Sequence, residues 1–235
     1  MWTPTRLSVA RTPVAMAVPG NLGPVGSCAT PVRVRAVPAW GMLRHVAAWV
    51  GVDVGGKRKG FDVAVIDERR VLALQGHLTR TQVVDLAMEN RPAVIAIDSP
   101  CCCAPGGRTA RDGELQLARS VCAIRWTPDE AHVHASAYYV WILEGLAVFD
   151  ALTAYDVEVI EVFPTASWTR WHGKRGSRTR AAWTRQGLAA LGLDDVPART
   201  NQDQRDAIAA AMTARQHGLG LTETMGDIVV PASRW

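Results

Sequence analysis

The feature that most constrains the fold is one carboxylate inside an apolar stretch that reads Trp-Val-Gly-Val-Asp-Val-Gly-Gly from Trp49 to Gly56. Asp53 stands between Val52 and Val54. An ionised carboxylate buried among such neighbours must shift its pKa, pair with another group or bind a metal ion. The competing interpretation is that backbone amides of the adjoining glycine turn hold Asp53, with no functional role.

Charge separates the first 47 residues from the rest of the chain. The 235 residues carry a formal net charge of +4, with 26 basic and 22 acidic residues. Five of the basic residues lie in residues 1–47, which contain no acid: Arg6, Arg11, Arg33, Arg35 and Arg44. The remainder is therefore nearly neutral, and only local clusters can argue for nucleic-acid binding.

The N-terminal segment also differs in composition from residues 46–235. Six prolines are scattered through residues 1–41 without a helical or strand period, so we predict that residues 1–45 are a disordered arm. Met42 stands just before the first predicted strand, and whether residues 1–41 exist in the native protein stays open. Residues 46–235 are long enough for one core, and we predict a single domain there.

Cysteine usage points to a reducing compartment. Three of the five cysteines are consecutive, at Cys101, Cys102 and Cys103, unlike the separated cysteines of a secreted disulfide framework. We therefore predict a cytoplasmic protein. Adjacent cysteines do not easily converge on one tetrahedral ion, which disfavours zinc. No apolar run approaches the roughly 18 residues of a membrane span, so we expect no membrane partner.

The hydrophobic pattern predicts an α/β fold. Predicted strands cover residues 46–54, 61–66, 71–78, 93–97 and 157–163, with a late edge strand at 228–230. Predicted helices cover residues 79–90, 112–119, 134–152, 178–192 and 201–217. Three strands joined by short turns indicate an antiparallel meander, and the helix before residue 93 indicates a crossover to a parallel strand. The expected architecture is a mixed sheet flanked by helices.

Acids recur on the predicted strands and on the last helix. Asp98 ends the fourth strand, Glu161 lies in the fifth, and Asp203 and Asp206 are three residues apart, on one helical face. Carboxylates gathered from separate elements repel one another unless divalent cations lie among them, and oxygen ligands favour Mg²⁺ or Mn²⁺. Two such ions roughly 4 Å apart activate water and stabilise the leaving oxygen in phosphodiester hydrolysis.

Four motifs, taken in order, resemble the family called domain of unknown function 429. They are Gly51-Val52-Asp53, Ala96-Ile97-Asp98-Ser99-Pro100, Glu161-Val162-Phe163-Pro164 and Asp203-Gln204-Arg205-Asp206-Ala207 with the alanine-rich turns after it. The family is catalogued as predicted nucleases of RNase H fold, and the similarity covers about residues 46–232. The layout is also similar to that of Holliday-junction resolvases, whose acids come from the first strand, the fourth strand and an Asp-x-x-Asp-Ala helix.

The resemblance implies an RNase H-like fold, a two-metal nuclease and its site residues. Asp53, Asp98, Glu161 and Asp206 would be catalytic and would bind Mg²⁺ or Mn²⁺, with Asp203 as a further metal ligand. Glu161 shares a strand face with Val159 and Phe163, and we expect that face to point toward the site. Structural roles compete with these assignments. Asp98 precedes Ser-Pro, a context typical of a turn, and Asp203 occupies a capping position where an acid suits the helix dipole.

Two basic segments are candidate nucleic-acid contacts. The hairpin turn after the first strand contains Lys57, Arg58 and Lys59, and such a run is also typical of a solvated tip. The segment from Trp168 to Arg185 interleaves basic residues with three tryptophans and has no acid, a composition that suits backbone tracking and base stacking. Its predicted contacts are Arg170, Trp171, Lys174, Arg175, Arg178 and Arg180. A solvated loop and helix would have the same composition.

Three functions compete on the sequence alone. The leading prediction is a metal-dependent nuclease acting on DNA or RNA, and the sequence does not decide between these two. A non-catalytic nucleic-acid-binding or partner-binding module would keep the fold without turnover. An ATP-dependent kinase related to the actin and hexokinase group is also possible, because Gly-Val-Asp-Val-Gly-Gly resembles the phosphate-loop strand of that group, yet no repeat of the motif occurs after Asp98. The oligomeric state stays open.

Overall fold

The computed structural model describes residues 47–56 and 58–233. The predicted arm at 1–45 and Lys57 lie outside these residues. The strands are β1 (Trp49–Val54), β2 (Phe61–Ile66), β3 (Val71–Leu78), β4 (Val94–Asp98), β5 (Glu158–Val162), β6 (Thr222–Met225) and β7 (Ile228–Pro231). The helices are α1 (Arg80–Glu89), α2 (Asp112–Ser120), α3 (Glu130–Ala135), α4 (Val140–Leu152), α5 (Pro164–His172), α6 (Arg180–Ala190) and α7 (Gln202–Gly218). No helix in the described residues is both long and apolar enough to span a membrane.

The strands form one mixed sheet in the order β3-β2-β1-β4-β5-β7-β6. The first three pair antiparallel as a meander, β1 then pairs parallel with β4, and β4 with β5. An antiparallel meander in the order 3-2-1 continued by parallel strands 4 and 5 is the arrangement of RNase H-like folds. The predicted fold class is therefore confirmed.

Helices cover both faces of the sheet. On one face α7 packs against β1, β2 and β4, and α5 and α6 pack against α7. On the other face α1 and α4 cover the alternate side chains of the same strands, such as Val50, Val52 and Ile97. Burial on both faces explains why the strands are almost continuously apolar. Any charged residue inside them must therefore have a specific role or partner.

Gly51 allows α7 to lie directly on β1. A Cβ atom at this position would be 2.1 Å from the carbonyl oxygen of Ala207 and 2.1 Å from the amide nitrogen of Ala211. Ala207, Ala210 and Ala211 are fully buried at this contact. Small residues on both elements thus bring the first turns of α7 next to the end of β1.

Two helical regions differ from the sequence-based prediction. The helix predicted at 134–152 is divided into α3 and α4, because Ser136 is extended (φ −133°, ψ 127°) and its hydroxyl accepts a hydrogen bond from the amide of Tyr138. Helix α5 was not predicted, although Pro164 at its first position is a typical helix start. At Ser136 a local backbone contact overrides the apolar spacing, whereas the composition of α5 lacks such a spacing.

The prediction of an edge strand at 228–230 is wrong in one respect. Strand β7 pairs parallel with β5 on one side and antiparallel with β6 on the other, so β6 forms the edge. The short strand β6 was not predicted, because Leu-Thr-Glu-Thr-Met has little apolar alternation. Gly226, with φ +61°, makes the tight connection between the two strands.

Candidate metal centre

Three aspartates lie side by side across three neighbouring strands. In the sheet register Asp53 of β1 is opposite Asp62 of β2 on one side and opposite Asp98 of β4 on the other. Residues opposite each other in a sheet point to the same face. Gly51, two residues before Asp53, contacts α7, so the three carboxylates are on the α7 face.

Helix α7 brings a fourth and a fifth carboxylate to the same place. One carboxylate oxygen from each of Asp53, Asp62 and Asp203 lies within 4.8 Å of the other two. Asp206, one turn further along α7, is 2 % exposed and contributes to the electrostatic environment of both Asp53 and Asp98. The structure therefore brings together four of the five predicted acids and adds Asp62.

Asp206 has protein partners at both oxygens. The indole nitrogen of Trp168 donates to Oδ1 at 3.0 Å. The guanidinium of Arg180 and the amide of Gln202 donate to Oδ2 at 2.7 and 2.9 Å. These contacts fix the rotamer of Asp206 and place one cation, Arg180, at the margin of the acid cluster.

Like charge and burial dominate the electrostatics of the cluster. Burial, followed by the charges of Asp98 and Asp206, raises the pKa of Asp53 to about 9. Desolvation and Asp206 raise the pKa of Asp98, and burial together with Asp203 raises the pKa of Asp62. Carboxylates in this state gain strongly from added positive charge.

Two side chains supply part of that positive charge. Lys59 Nζ is 2.8 Å from Asp203 Oδ2, and this hydrogen bond is the largest cause of a raised pKa for Lys59. Arg180 neutralises Asp206 from the other side. Among the described residues, two paired cations do not balance five carboxylates, so the cluster retains room for further positive charge.

The donor atoms suit a hard divalent cation. Asp62 Oδ1 is buried and has no hydrogen-bond partner among the described residues. Asp53 and Asp98 likewise accept no side-chain hydrogen bond from any part of the chain that the structure describes. Carboxylate oxygens with free lone pairs, drawn from several elements, are the ligands that Mg²⁺ and Mn²⁺ take. The residues present therefore fit a divalent cation.

The structure does not bring the side chain of Glu161 into this cluster, although its charge contributes to the raised pKa of Asp98. Glu161 is opposite Ile97 in the sheet register, so its side chain leaves the sheet on the face away from Asp98. There both of its oxygens bind the buried guanidinium of Arg111, with Nη1 2.7 Å from Oε2, and Oε2 also accepts from the amide of Cys101 at 2.9 Å. The expectation that this strand face points toward the site is corrected by the sheet register, which puts Glu161 with Ile97 on the face opposite α7.

Arg111 is the centre of a buried ion network that the sequence did not reveal. Its Nε also donates to Glu114 Oε1 at 3.1 Å, and Glu114 accepts from the amide of Thr127. The network thus ties the long segment between β4 and α3 to β5. Its signal in the sequence, an Arg-x-x-Glu pair at the start of a helix, is common at ordinary helix ends.

Asp62 is the site residue that the sequence analysis missed. It stands second in a strand that otherwise reads as a fully buried hairpin arm, Phe-Asp-Val-Ala-Val-Ile, and is 4 % exposed. The same reasoning that singled out Asp53 applies to it, because a charge within an apolar strand requires a partner. The hairpin register, which places the two residues opposite each other, supplies that partner.

The basic hairpin tip lies beside the acid cluster. Arg58 and Lys59 are exposed, and Lys59 is paired with Asp203. Lys57 lies outside the described residues. Arg58, in the same turn, forms no ion pair with any described residue and is available to contact a ligand.

The tryptophans of the basic segment from Trp168 to Arg185 pack largely inside the protein. Trp168 and Trp183 are buried, and Trp171 is half-buried, with its indole nitrogen 3.1 Å from Gln216 Oε1. Arg170 forms an ion pair with Glu223. The structure therefore does not present Arg170 or these aromatic rings as an open surface for stacking bases.

The remaining cations of this segment lie between α5 and α6. Lys174 and Arg175 are exposed. Arg178 donates to the carbonyl oxygens of Lys174 and Arg175 at 2.7 and 2.9 Å, which folds the loop back on itself. Arg180 reaches Asp206. The basic segment thus divides into residues that stabilise the loop and residues that are free.

The consecutive cysteines lie close to the carboxyl end of β4. Cys102 Sγ is 3.6 Å from Asp227 Oδ2 and 3.9 Å from Arg111 Nη1. Hydrogen bonding with Cys101 lowers the pKa of Cys102 to about 7. One ligand atom from each of Cys101, Cys102 and Asp227 lies within 4.8 Å of the others, and Cys103 is not in this group.

Comparison with known proteins places the chain in a family. Residues 51–229 match the family described as protein of unknown function, DUF429. The chain belongs to the DUF429 family. The matched part of this DUF429 protein contains all five aspartates of the cluster. No curated protein matches the chain.

Two solved structures are similar to this DUF429 protein. One is Thermus thermophilus RuvC, at 15 % sequence identity and a TM-score of 0.42, covering 74 % of this chain and 96 % of that chain. The other is T. thermophilus RuvC in complex with a Holliday junction substrate, at 15 % identity and a TM-score of 0.44, with the same coverage of 74 % and 96 %.

Proposed function

We propose that this DUF429 protein is a metal-dependent nuclease that hydrolyses phosphodiester bonds. The observation that carries the proposal is the convergence of Asp53, Asp62 and Asp98 from three adjacent strands with Asp203 and Asp206 of α7. Five carboxylates gathered on a buried face destabilise the protein, and such an arrangement is typical of a site that has a function.

The proposed roles follow from the contacts of each residue. Asp53, Asp62, Asp98 and Asp203 would hold Mg²⁺ or Mn²⁺, and Asp206 would complete the set when Arg180 moves away from Oδ2. Two divalent cations bound there would supply an activated water and stabilise the leaving oxygen. Lys59 would keep Asp203 in place. Glu161 is assigned to the ion network with Arg111 and not to the metal ligands.

The proposed substrate is nucleic acid, either DNA or RNA. Arg58, an exposed cation of the hairpin turn beside the cluster, would contact a backbone phosphate. Contacts to phosphates position a nucleic acid without reading its sequence. We therefore expect cleavage to depend on the structure of the substrate more than on its sequence.

The test is a cleavage assay on single-stranded, duplex and four-way-junction DNA and on single-stranded RNA, with Mg²⁺ or Mn²⁺. The wild type and Asp85→Asn, a matched change at an exposed residue of α1, should cleave the same substrates at the same rate. Asp53→Asn should lose at least about 100-fold in rate, since altering even the groups around metal ligands costs 10- to 100-fold.

Two outcomes would contradict this assignment. Equal cleavage by wild type and Asp53→Asn would show that the acid cluster is not the catalytic centre. Binding of nucleic acid by both proteins without any cleavage would favour the non-catalytic binding module.

A further inference from the structure

A cationic cavity of about 460 Å³ is lined in part by Arg180, which also contacts Asp206 of the acid cluster. Its walls come from the end of α2, from α5 and the loop after it, and from the start of α6. The cations in its lining are Arg119, Lys174, Arg175 and Arg180. None of the described residues that line the cavity is acidic, although acids are about as frequent as bases after residue 47.

Three of these cations have no side-chain partner among the residues that the structure describes. The side chains of Arg119, Lys174 and Arg175 make no hydrogen bond or ion pair with any residue that the structure describes. Cations that share one concave surface repel one another, and the walls of a cavity strengthen this effect by excluding solvent. An anionic ligand would remove the repulsion.

Arg180 connects the cavity with the acid cluster. Its side chain lines the cavity, and its guanidinium lies 2.7 Å from Asp206 Oδ2. A ligand phosphate in the cavity would compete with Asp206 for this guanidinium. Asp206 would then be free to bind a cation in the acid cluster. Binding of a phosphate in the cavity should therefore favour binding of a cation by the cluster, and the reverse.

We propose that this cavity binds the phosphodiester backbone of the substrate and that Arg180 leads the strand from the cavity to the acid cluster. The class of ligand rests on the proposed function. The number of cations argues for a strand and against a single phosphate ion, since four of them come from α2, from the loop after α5 and from α6. Hydroxyl groups of Thr165 and Thr169 lie in the same lining and are neutral partners for phosphate oxygens.

The binding test compares two double variants. Lys174→Ala/Arg175→Ala removes two free cations of the cavity, whereas Arg69→Ala/Arg80→Ala removes two exposed cations that have no side-chain partner among the described residues. Fluorescence anisotropy would follow a labelled single-stranded DNA of roughly 20 nucleotides, longer than the site of one binding domain. Duplex DNA, four-way-junction DNA and single-stranded RNA serve as further probes, and EDTA prevents cleavage.

The cavity variant should bind at least about tenfold more weakly than wild type. On single strands, the logarithm of the binding constant falls linearly with the logarithm of the salt concentration. For the cavity variant this slope should be less steep by about 0.7 for each phosphate that it no longer neutralises. The control variant should bind within about twofold of wild type, because neither of its residues lines the cavity. Thermal unfolding of both variants checks that each remains folded.

The results separate this inference from the proposed function. Binding that depends on Lys174 and Arg175 without any cleavage would support the cavity and contradict the nuclease. Cleavage that depends on Asp53, with equal binding by the two double variants, would contradict the cavity as the binding site. The proposed nuclease function would still be supported. Failure of the wild type to bind any of the probes would also overturn the cavity.

Discussion

At the scale of single residues, Gly51 sets the distance between β1 and α7. The atoms that a Cβ at this position would meet belong to the backbone of α7, at Ala207 and Ala211, and cannot rotate away as a flexible side chain could. A larger residue at 51 would therefore push the helix off the sheet. Asp203 and Asp206 would move with it.

We predict that Gly51→Ala lowers the free energy of unfolding by at least about 3 kcal/mol, the upper part of the range for overpacked cores. Equilibrium urea denaturation would measure the change. Gly106→Ala is the control, because a Cβ there has no neighbour within 4 Å, and we expect a change within about 0.5 kcal/mol. Similar losses in both variants would contradict the close approach of α7.

Arg111 and Glu161 allow a second test at this scale. We predict that Arg111→Ala costs about 3–5 kcal/mol of stability, because it leaves Glu161 and Glu114 buried without their cation. Glu161→Gln should lower stability as well but should leave Mg²⁺ binding intact, as measured by isothermal titration calorimetry. Loss of Mg²⁺ binding in a folded Glu161→Gln variant would show instead that Glu161 is a metal ligand.

The sequence revealed some site residues and concealed others for a physical reason. Asp53 was identified because burial of a charge in an apolar strand is costly whatever the fold. Strand parity correctly separated Glu161 from Val162, but parity cannot say which face the site is on. That depends on where α7 packs, a tertiary property. Asp62 was missed because its importance depends on the hairpin register with β1.

At the scale of elements, the short helix α3 is stabilised by its N-terminal cap. Asp129 caps it and accepts hydrogen bonds from the amides of His132 and Gly107 at 3.0 and 2.6 Å. The side-chain contact with His132, followed by these amides, lowers the pKa of Asp129 to about 2. The charged form of Asp129 is therefore favoured in the folded state.

This cap predicts a dependence of stability on acid. The folded pKa of about 2 lies below the unfolded value of about 4, so the contribution of Asp129 is complete above pH ~4 and is lost as the pH falls toward 2. The difference in unfolding free energy between wild type and Asp129→Asn should shrink across this window. Chemical denaturation at several pH values between 5 and 2 would measure it, with Asp85→Asn as the surface control. A difference that grows toward pH 2 would contradict the assignment.

Helices and strands with a clear apolar period were predicted well from the sequence. The others depend on contacts that the apolar pattern does not show. The strands of the meander and α7 follow their apolar pattern closely. The break between α3 and α4 was not predictable from helical spacing alone, since apolar residues continue at that spacing across Ser136. Helix α5 was hidden by its basic and aromatic composition, which resembles a solvated loop. Its tryptophans, Trp168 and Trp171, prove to be partners of α7.

At the scale of the whole molecule, we expect the acid cluster to link stability to divalent cations. We predict that Mg²⁺ raises the melting temperature of the wild type, since a ligand at 100 times its Kd adds about 2.7 kcal/mol to the folded state. Asp53→Asn should be more stable than wild type in EDTA, because it removes one of several mutually repelling carboxylates. It should also gain less from Mg²⁺.

Thermal unfolding with a titration of Mg²⁺ from an EDTA-treated sample would check both expectations. Asp85→Asn, which lies on the exposed side of α1, should follow the wild type throughout. An equal Mg²⁺ response in wild type and Asp53→Asn would place the cation elsewhere in the molecule.

The order of the proposed ligands along the chain has a consequence for synthesis of the protein. Asp53 and Asp62 belong to β1 and β2 and are made early, whereas Asp203 and Asp206 belong to α7 and are made much later. Contacts between residues so distant in sequence form late, because closing the loop between them costs entropy. A growing chain therefore holds an incomplete set of ligands until α7 docks. If the protein cuts nucleic acid, its activity should therefore begin only once α7 has docked on the sheet.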